Sequence, residues 1–111
     1  MSRDWRAYAA HILDAVDKLD RIRQRGSIVA DDILYDAALR NLQTLAEATQ
    51  RLPSERKEQF GGIAWDRIAG FRNILVHNYL GDIDPETVNR IIADHIQPLR
   101  HAIEAMLAEG I

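Results

Sequence analysis

The sequence predicts an all-α fold, an antiparallel four-helix bundle with a short extra helical turn between helices 2 and 3. Three observations lead there. Apolar residues recur at steps of three and four in four separate segments, no segment alternates with the period of two of a half-buried strand, and Gly, Pro and Asp fall between the segments. Amphipathic helices joined by short connections bury their stripes most economically against each other.

The first helix carries Trp5, Tyr8, Ile12, Val16, Leu19 and Ile22 on one face, with Asp14, Asp17, Lys18 and Arg21 opposite, and Gly26-Ser27 ends it. The second begins where Asp31 or Asp32 can accept free backbone N–H groups. Its stripe is Leu34, Ala38, Leu42, Leu45, Thr49 and Leu52, and Pro53 stops it. In the connector PSERKEQFGG, Ser54 can cap a short turn that Gly61-Gly62 breaks. The third long helix starts near Trp65 and runs to about Tyr79, with Gly81 just beyond. Gly70 lies inside it, at a cost of about 1 kcal/mol relative to alanine, which means either close approach of another helix or tolerance of the loss. The last helix has Asp84 as N-cap, Pro85 at its first position and Glu86 where the dipole favours an anion. Val88, Ile92, His95, Leu99, Ala102 and Met106 form its stripe, and Pro98 within it predicts a kink.

With 111 residues and no internal repeat or linker, residues 1–111 read as a single domain. The absence of cysteine excludes disulfides, thiolate zinc sites and a cysteine nucleophile, and fits a reducing compartment. There are 14 Lys+Arg against 17 Asp+Glu, with eight of each sign before Pro53 and six basic against nine acidic from it onward. Neither half is a basic arm, so broad capture of a long nucleic acid is disfavoured while a local cationic site is allowed. The N-terminal stretch interleaves acids with apolar residues and contains no membrane-spanning run. A soluble, untargeted, cytoplasmic protein is expected.

The segment Arg72-Asn73-Ile74-Leu75-Val76-His77-Asn78-Tyr79 crowds five hydrogen-bonding side chains around one apolar turn. On a helix Arg72 and Tyr79 share a face, and Asn73 and His77 share a neighbouring one. Arg72 and His77 stand about 140° apart around the axis. They meet only through the reach of the guanidinium or by pairing with a second copy. An Arg fork holds phosphate bidentately, and a histidine titrates near neutrality, so the pair suits metal-free cleavage of a ribose phosphodiester. Periodicity alone favours the plainer reading of a helix-end histidine, a surface arginine and a core-edge tyrosine.

The pattern R-x-x-x-x-H-x-Y, preceded by Trp65-Asp66-Arg67-Ile68-Ala69-Gly70-Phe71 and followed by Leu80-Gly81-Asp82-Ile83-Asp84, closely resembles the HepT-like branch of the HEPN superfamily. So does the upstream stretch Tyr35-Asp36-Ala37-Ala38-Leu39-Arg40-Asn41-Leu42 leading to Ala46-Glu47-Ala48, where the family commonly has glycine before the glutamate. The resemblance covers nearly the whole chain. It implies a HEPN-like bundle, a homodimer, and a toxin of a toxin–antitoxin system that acts as a metal-independent endoribonuclease. Arg72 and His77 then become catalytic at the dimer cleft, leaving 2′,3′-cyclic phosphate ends, and Asn73 matches the polar residue that assists them. It also implies an MntA-type minimal nucleotidyltransferase antitoxin that transfers AMP to Tyr79, where a bulky anion would block substrate. RNA is the expected substrate, with no DNA, membrane or cofactor. The alternative of another class is a non-catalytic module that binds nucleotide or partner at the same cleft.

The remaining polar residues read mostly as structure. His11, His77, His95 and His101 have no chelating spacing, so no metal is expected. His95 falls on the apolar stripe, while His11 and His101 read as surface. Arg21, Arg23 and Arg25 complement the helix dipole, and in a chain with only two lysines they can also contact RNA or an acidic partner. Glu47 can anchor Arg72 or be exposed. Trp5, Tyr8 and Trp65 read as core or dimer packing.

Overall fold

The computed structural model describes residues 4–77 and 83–109, with residues 72–77 described as backbone only. Five helices follow in order: α1 (Trp5–Arg25), α2 (Asp32–Thr49), α3 (Ser54–Glu58), α4 (Trp65–His77) and α5 (Pro85–Glu109). Four pack as the bundle, and α3 is the extra turn. The predicted end of α4 at Tyr79 lies outside the described residues.

Local chemistry sets the helix ends. The Asp4 carboxylate accepts from the Arg6 backbone N–H at 3.0 Å and starts α1. Asp31, and not Asp32, caps α2, accepting from Ile33 N at 2.9 Å and Leu34 N at 3.3 Å. In the α1–α2 connection, Ser27 Oγ accepts from Val29 N and Ala30 N. Gly26 ends α1 in an extended conformation, not the left-handed one of the usual glycine cap. Its value is space, because a Cβ there would stand 3.2 Å from Leu34 Cδ1. Ser54 is the first residue inside α3, with Pro53 at the cap position and no side-chain capping bond. The Asp84 carboxylate accepts from Glu86 N at 3.4 Å and the Thr87 hydroxyl at 3.2 Å at the start of α5.

Helix α1 packs against α2 and α5, and α2 packs against α4, so α1 and α2 stand at the centre of the arrangement. Ile12, Val16, Leu19, Leu42, Leu45, Ile68, Val88, Ile92, Ile96, Leu99, Ile103 and Met106 fill one core. Helix α5 buries a wider stripe than its spacing predicts. Ile96 and Ile103 are fully buried, whereas His95 is displaced to the half-buried edge. The helix continues through Pro98, which is exposed. Arg100 on α5 bridges Asp17 at 3.4 Å and Asp20, and Gln97 Nε2 donates to Asp20 at 3.2 Å. As α1 advances from 17 to 20, α5 retreats from 100 to 97, which makes this pair antiparallel. Among the described residues no helix is long and apolar enough to cross a membrane.

Two side chains tie α4 and the start of α5 to the rest. The Trp65 indole N–H donates to the carbonyls of Lys57 at 2.9 Å and Phe60 at 3.1 Å, fastening the first turn of α4 to the end of α3. The Tyr35 hydroxyl on α2 donates to the Ile83 carbonyl just before α5. Urea unfolding should show Leu45→Ala losing about 2–5 kcal/mol, the range for a buried leucine that leaves a cavity. Tyr35→Phe should lose about 1 kcal/mol, because it removes one half-buried hydrogen bond and little packing. Faster amide exchange at Ile83 to Val88 in that variant, with the middle of α1 unchanged, would locate the effect.

Candidate active site on helix α4

Helix α4 presents one fully buried side chain among its described residues, Ile68, which is 1% exposed. Phe71, one turn later, packs half-buried against the core. Together with the Trp65 indole they set both the starting point and the rotation of the helix. Trp65 lies toward one side of Ile68 and Phe71 toward the other, so the inward face is centred near Ile68.

The rest of the helix follows from this register, because the backbone is α-helical without a break from Trp65 through His77. At 100° per residue, Gly70, Asn73 and His77 fall about 140–200° around the axis from Ile68, on the side away from the core. Arg72 falls about 40° from Ile68, on the flank of the inward face. Arg72 and His77 are thus placed on different faces of one helix, about 7.5 Å apart along the axis. Asn73 and His77 share a face. Tyr79 lies outside the described residues.

Gly70 resolves one of the two readings open in the sequence. A Cβ built on it meets nothing within 4 Å among the described residues, so no helix of the same chain approaches it closely. Gly70 is half-buried and adds no side chain to the side of α4 that the exposed Asp66 shares. His95 on α5 meets the Phe71 ring edge-on, with centroids 5.6 Å apart at 64°. That contact lies one residue before Arg72, and sequence reasoning, which assigned His95 to the apolar stripe, gave Phe71 no part in it.

Glu47 is exposed on α2, next to the buried Ala46 and Ala48. It borders an open cavity of about 650 Å³ together with Tyr8, His11, Thr44, Gln50 and Arg51. The cavity combines a phenol, an imidazole, a carboxylate and a guanidinium between α1 and α2. His11 and His101 are exposed, as their positions predict. Trp5 is half-buried, with the guanidinium of Arg56 4.7 Å and that of Arg6 5.2 Å from its ring. Sequence reasoning missed Tyr35 as the residue that holds the chain where it re-enters α5. Its only signal was a tyrosine in the first turns of α2, at the edge of the predicted stripe.

Comparison with known proteins places this geometry in a family. The model of the family described as Ribonuclease HepT-like matches residues 12–106, which takes in α4 entirely. One relative is "Gamma-glutamylcyclotransferase and putative RNase MJ0434" of Methanocaldococcus jannaschii, 26% identical over 112 residues. The match covers 98% of this chain and 50% of that protein, so the chain spans half the length of that relative. "Putative RNase TTE0752" of Caldanaerobacter subterraneus subsp. tengcongensis is 35% identical over 79 residues, covering 68% of this chain and 70% of the relative. "Probable ribonuclease HepT" of Thermococcus cleftensis is 25% identical over 111 residues, covering 96% and 98%. No solved structure matches the chain. With its motif helix and nearly all of its core inside the matched span, the chain belongs to the HepT-like ribonuclease family of the HEPN superfamily.

Proposed function

We propose that this chain, as one domain over residues 1–111, is a metal-independent endoribonuclease acting as the toxin of a toxin–antitoxin pair in the cytoplasm. Its active site forms across a homodimer, and an MntA-type minimal nucleotidyltransferase neutralises it by transferring AMP to Tyr79. Membership of a ribonuclease family supports the reaction class. The observation that carries the site is the register of α4: Asn73 and His77 stand with Gly70 on its outward side, opposite the buried Ile68. The open space at Gly70 lets a second α4 approach there, and a second copy supplies the juxtaposition of Arg72 with His77 that one helix cannot.

The chemistry is an in-line transfer within the RNA. His77 accepts the proton of a ribose 2′-hydroxyl, and the oxygen attacks the adjacent phosphorus. As the new O2′–P bond forms and the P–O5′ bond breaks, the second histidine of the dimer protonates the departing 5′-oxygen. The products are a 2′,3′-cyclic phosphate and a 5′-hydroxyl. Arg72 holds the non-bridging oxygens and stabilises the charge that builds on them, Asn73 orients phosphate or imidazole, and Glu47 supports Arg72 from α2. An AMP group on Tyr79, two residues from His77, fills the cleft and presents its own phosphate to Arg72.

The purified protein should cut single-stranded RNA in EDTA and leave cyclic phosphate ends. Arg72→Ala and His77→Ala should each lower kcat by about 100-fold or more with unchanged circular dichroism. Parent-level activity in both variants would remove the catalytic assignment. Intact mass after co-expression with the nucleotidyltransferase should show AMP-sized increments that disappear in Tyr79→Phe; increments that persist would move the modification elsewhere. The net charge of −3 favours the second reading, a nucleotide- or partner-binding module. Arg72-dependent AMP binding with no cleavage at high protein concentration would select it.

A further inference from the structure

The catalytic reading leaves unused a groove between the second half of α1 and the first turns of α2. Its floor is Ile22, Leu34 and Ala37, its rim carries Lys18, Arg21 and Arg25, and the enclosed volume is about 370 Å³. The three cations stand at i, i+3 and i+7 of α1 and so share one face over about 10.5 Å of helix. No carboxylate among the described residues pairs with any of them, although acids outnumber bases in the chain as a whole.

The opposite lip of the groove is Ile33, which is 75% exposed, and Val29 in the connection before it is 44% exposed. These are the exposed large hydrophobic residues among the described part of the chain, and Ile33 lines the groove. The α2 cap uses the Ile33 backbone N–H, which leaves its side chain in solvent. An aliphatic floor and lip beside a row of unpaired cations has the layout of a protein-docking groove, with an apolar centre and a charged border.

We propose that this groove binds an acidic amphipathic helix of a partner protein. The partner's aliphatic side chains, spaced three and four apart, enter between Ile33 and Ile22, and its flanking carboxylates meet Lys18, Arg21 and Arg25. Charge complementarity selects the acidic partner. The absence of an aromatic side chain from the groove argues against single-stranded RNA, whose bases need a ring to stack on. The proposal does not depend on the ribonuclease reading, since no residue of the groove belongs to the motif.

The test uses the full chain and a labelled synthetic helix of about 15 residues, with leucines at i, i+4 and i+7 and flanking glutamates, read by fluorescence anisotropy. It should bind about tenfold tighter than the same peptide with lysines in place of the glutamates. Ile33→Ser should weaken it about tenfold, and Arg21→Glu with Arg25→Glu should weaken it at least as much and flatten its salt dependence. All three positions are exposed, so circular dichroism should not change, and Arg72→Ala should leave peptide binding intact. Equal binding of the acidic and basic peptides, or no effect of Ile33→Ser, would overturn the proposal. A 2′-O-methyl oligoribonucleotide whose binding is lost in the charge-reversed variant but untouched by Ile33→Ser would assign the groove to RNA. A change in sedimentation of Ile33→Ser alone would assign it to a second copy of the chain.

Discussion

The burial of Ile68 is the constraint on which the proposed site depends. Helix α4 has a weakly patterned surface, and Ile68 is its one fully buried side chain among the described residues. A helix held by a single buried isoleucine and a half-buried phenylalanine has its rotation set by them. Every position from Gly70 to His77 then follows at 100° per residue. A one-residue slip would turn the motif by about 100°, more than a quarter of a circle, and so change which face each of its positions occupies.

Rotation alone does not hold a helix in place along its axis. The indole of Trp65 does so at the start, by donating to the carbonyls of Lys57 in α3 and Phe60 just after it, and Tyr35 holds the chain again at Ile83. The short α3 therefore does more than reverse direction. Its Arg56 lies over Trp5 at the beginning of α1, so one five-residue helix contacts the starts of both α1 and α4. Through α3 the start of the motif helix is fastened next to the start of α1.

Charge is distributed unevenly for a chain of net charge −3. Arg100 is engaged with Asp17 and Asp20 on the α1–α5 seam, where its pairing supports the bundle. Lys18, Arg21 and Arg25 sit on the same α1 helix, beside the exposed Ile33, and pair with no carboxylate among the described residues. A broad basic surface is not needed for either arrangement. Local cations act over a few ångströms, whereas the net charge governs only the long-range field, which salt screens.

Helix boundaries were legible in the sequence because they are decided locally, by a carboxylate at Asp31 or Asp84, a missing N–H at Pro53 and Pro85, and a small residue at Gly26. The all-α class and the main core stripe were legible for the same reason: spacing along one helix is a one-dimensional property. The motif Arg72, Asn73, His77 and Tyr79 could be found, and the place of Arg72, Asn73 and His77 on α4 inferred. What spacing could not decide was which neighbour each face would meet. Ile96 and Ile103 entered the core ahead of His95 because α5 buries a stripe wide enough for α1 and the bundle interior together. Gly26 proved to make room for Leu34, Gly70 to have open space where a Cβ would stand among the described residues, and Ile33 to stand exposed beside Lys18, Arg21 and Arg25. Each of these depends on distances between segments far apart in the chain, which only the packing of the helices sets.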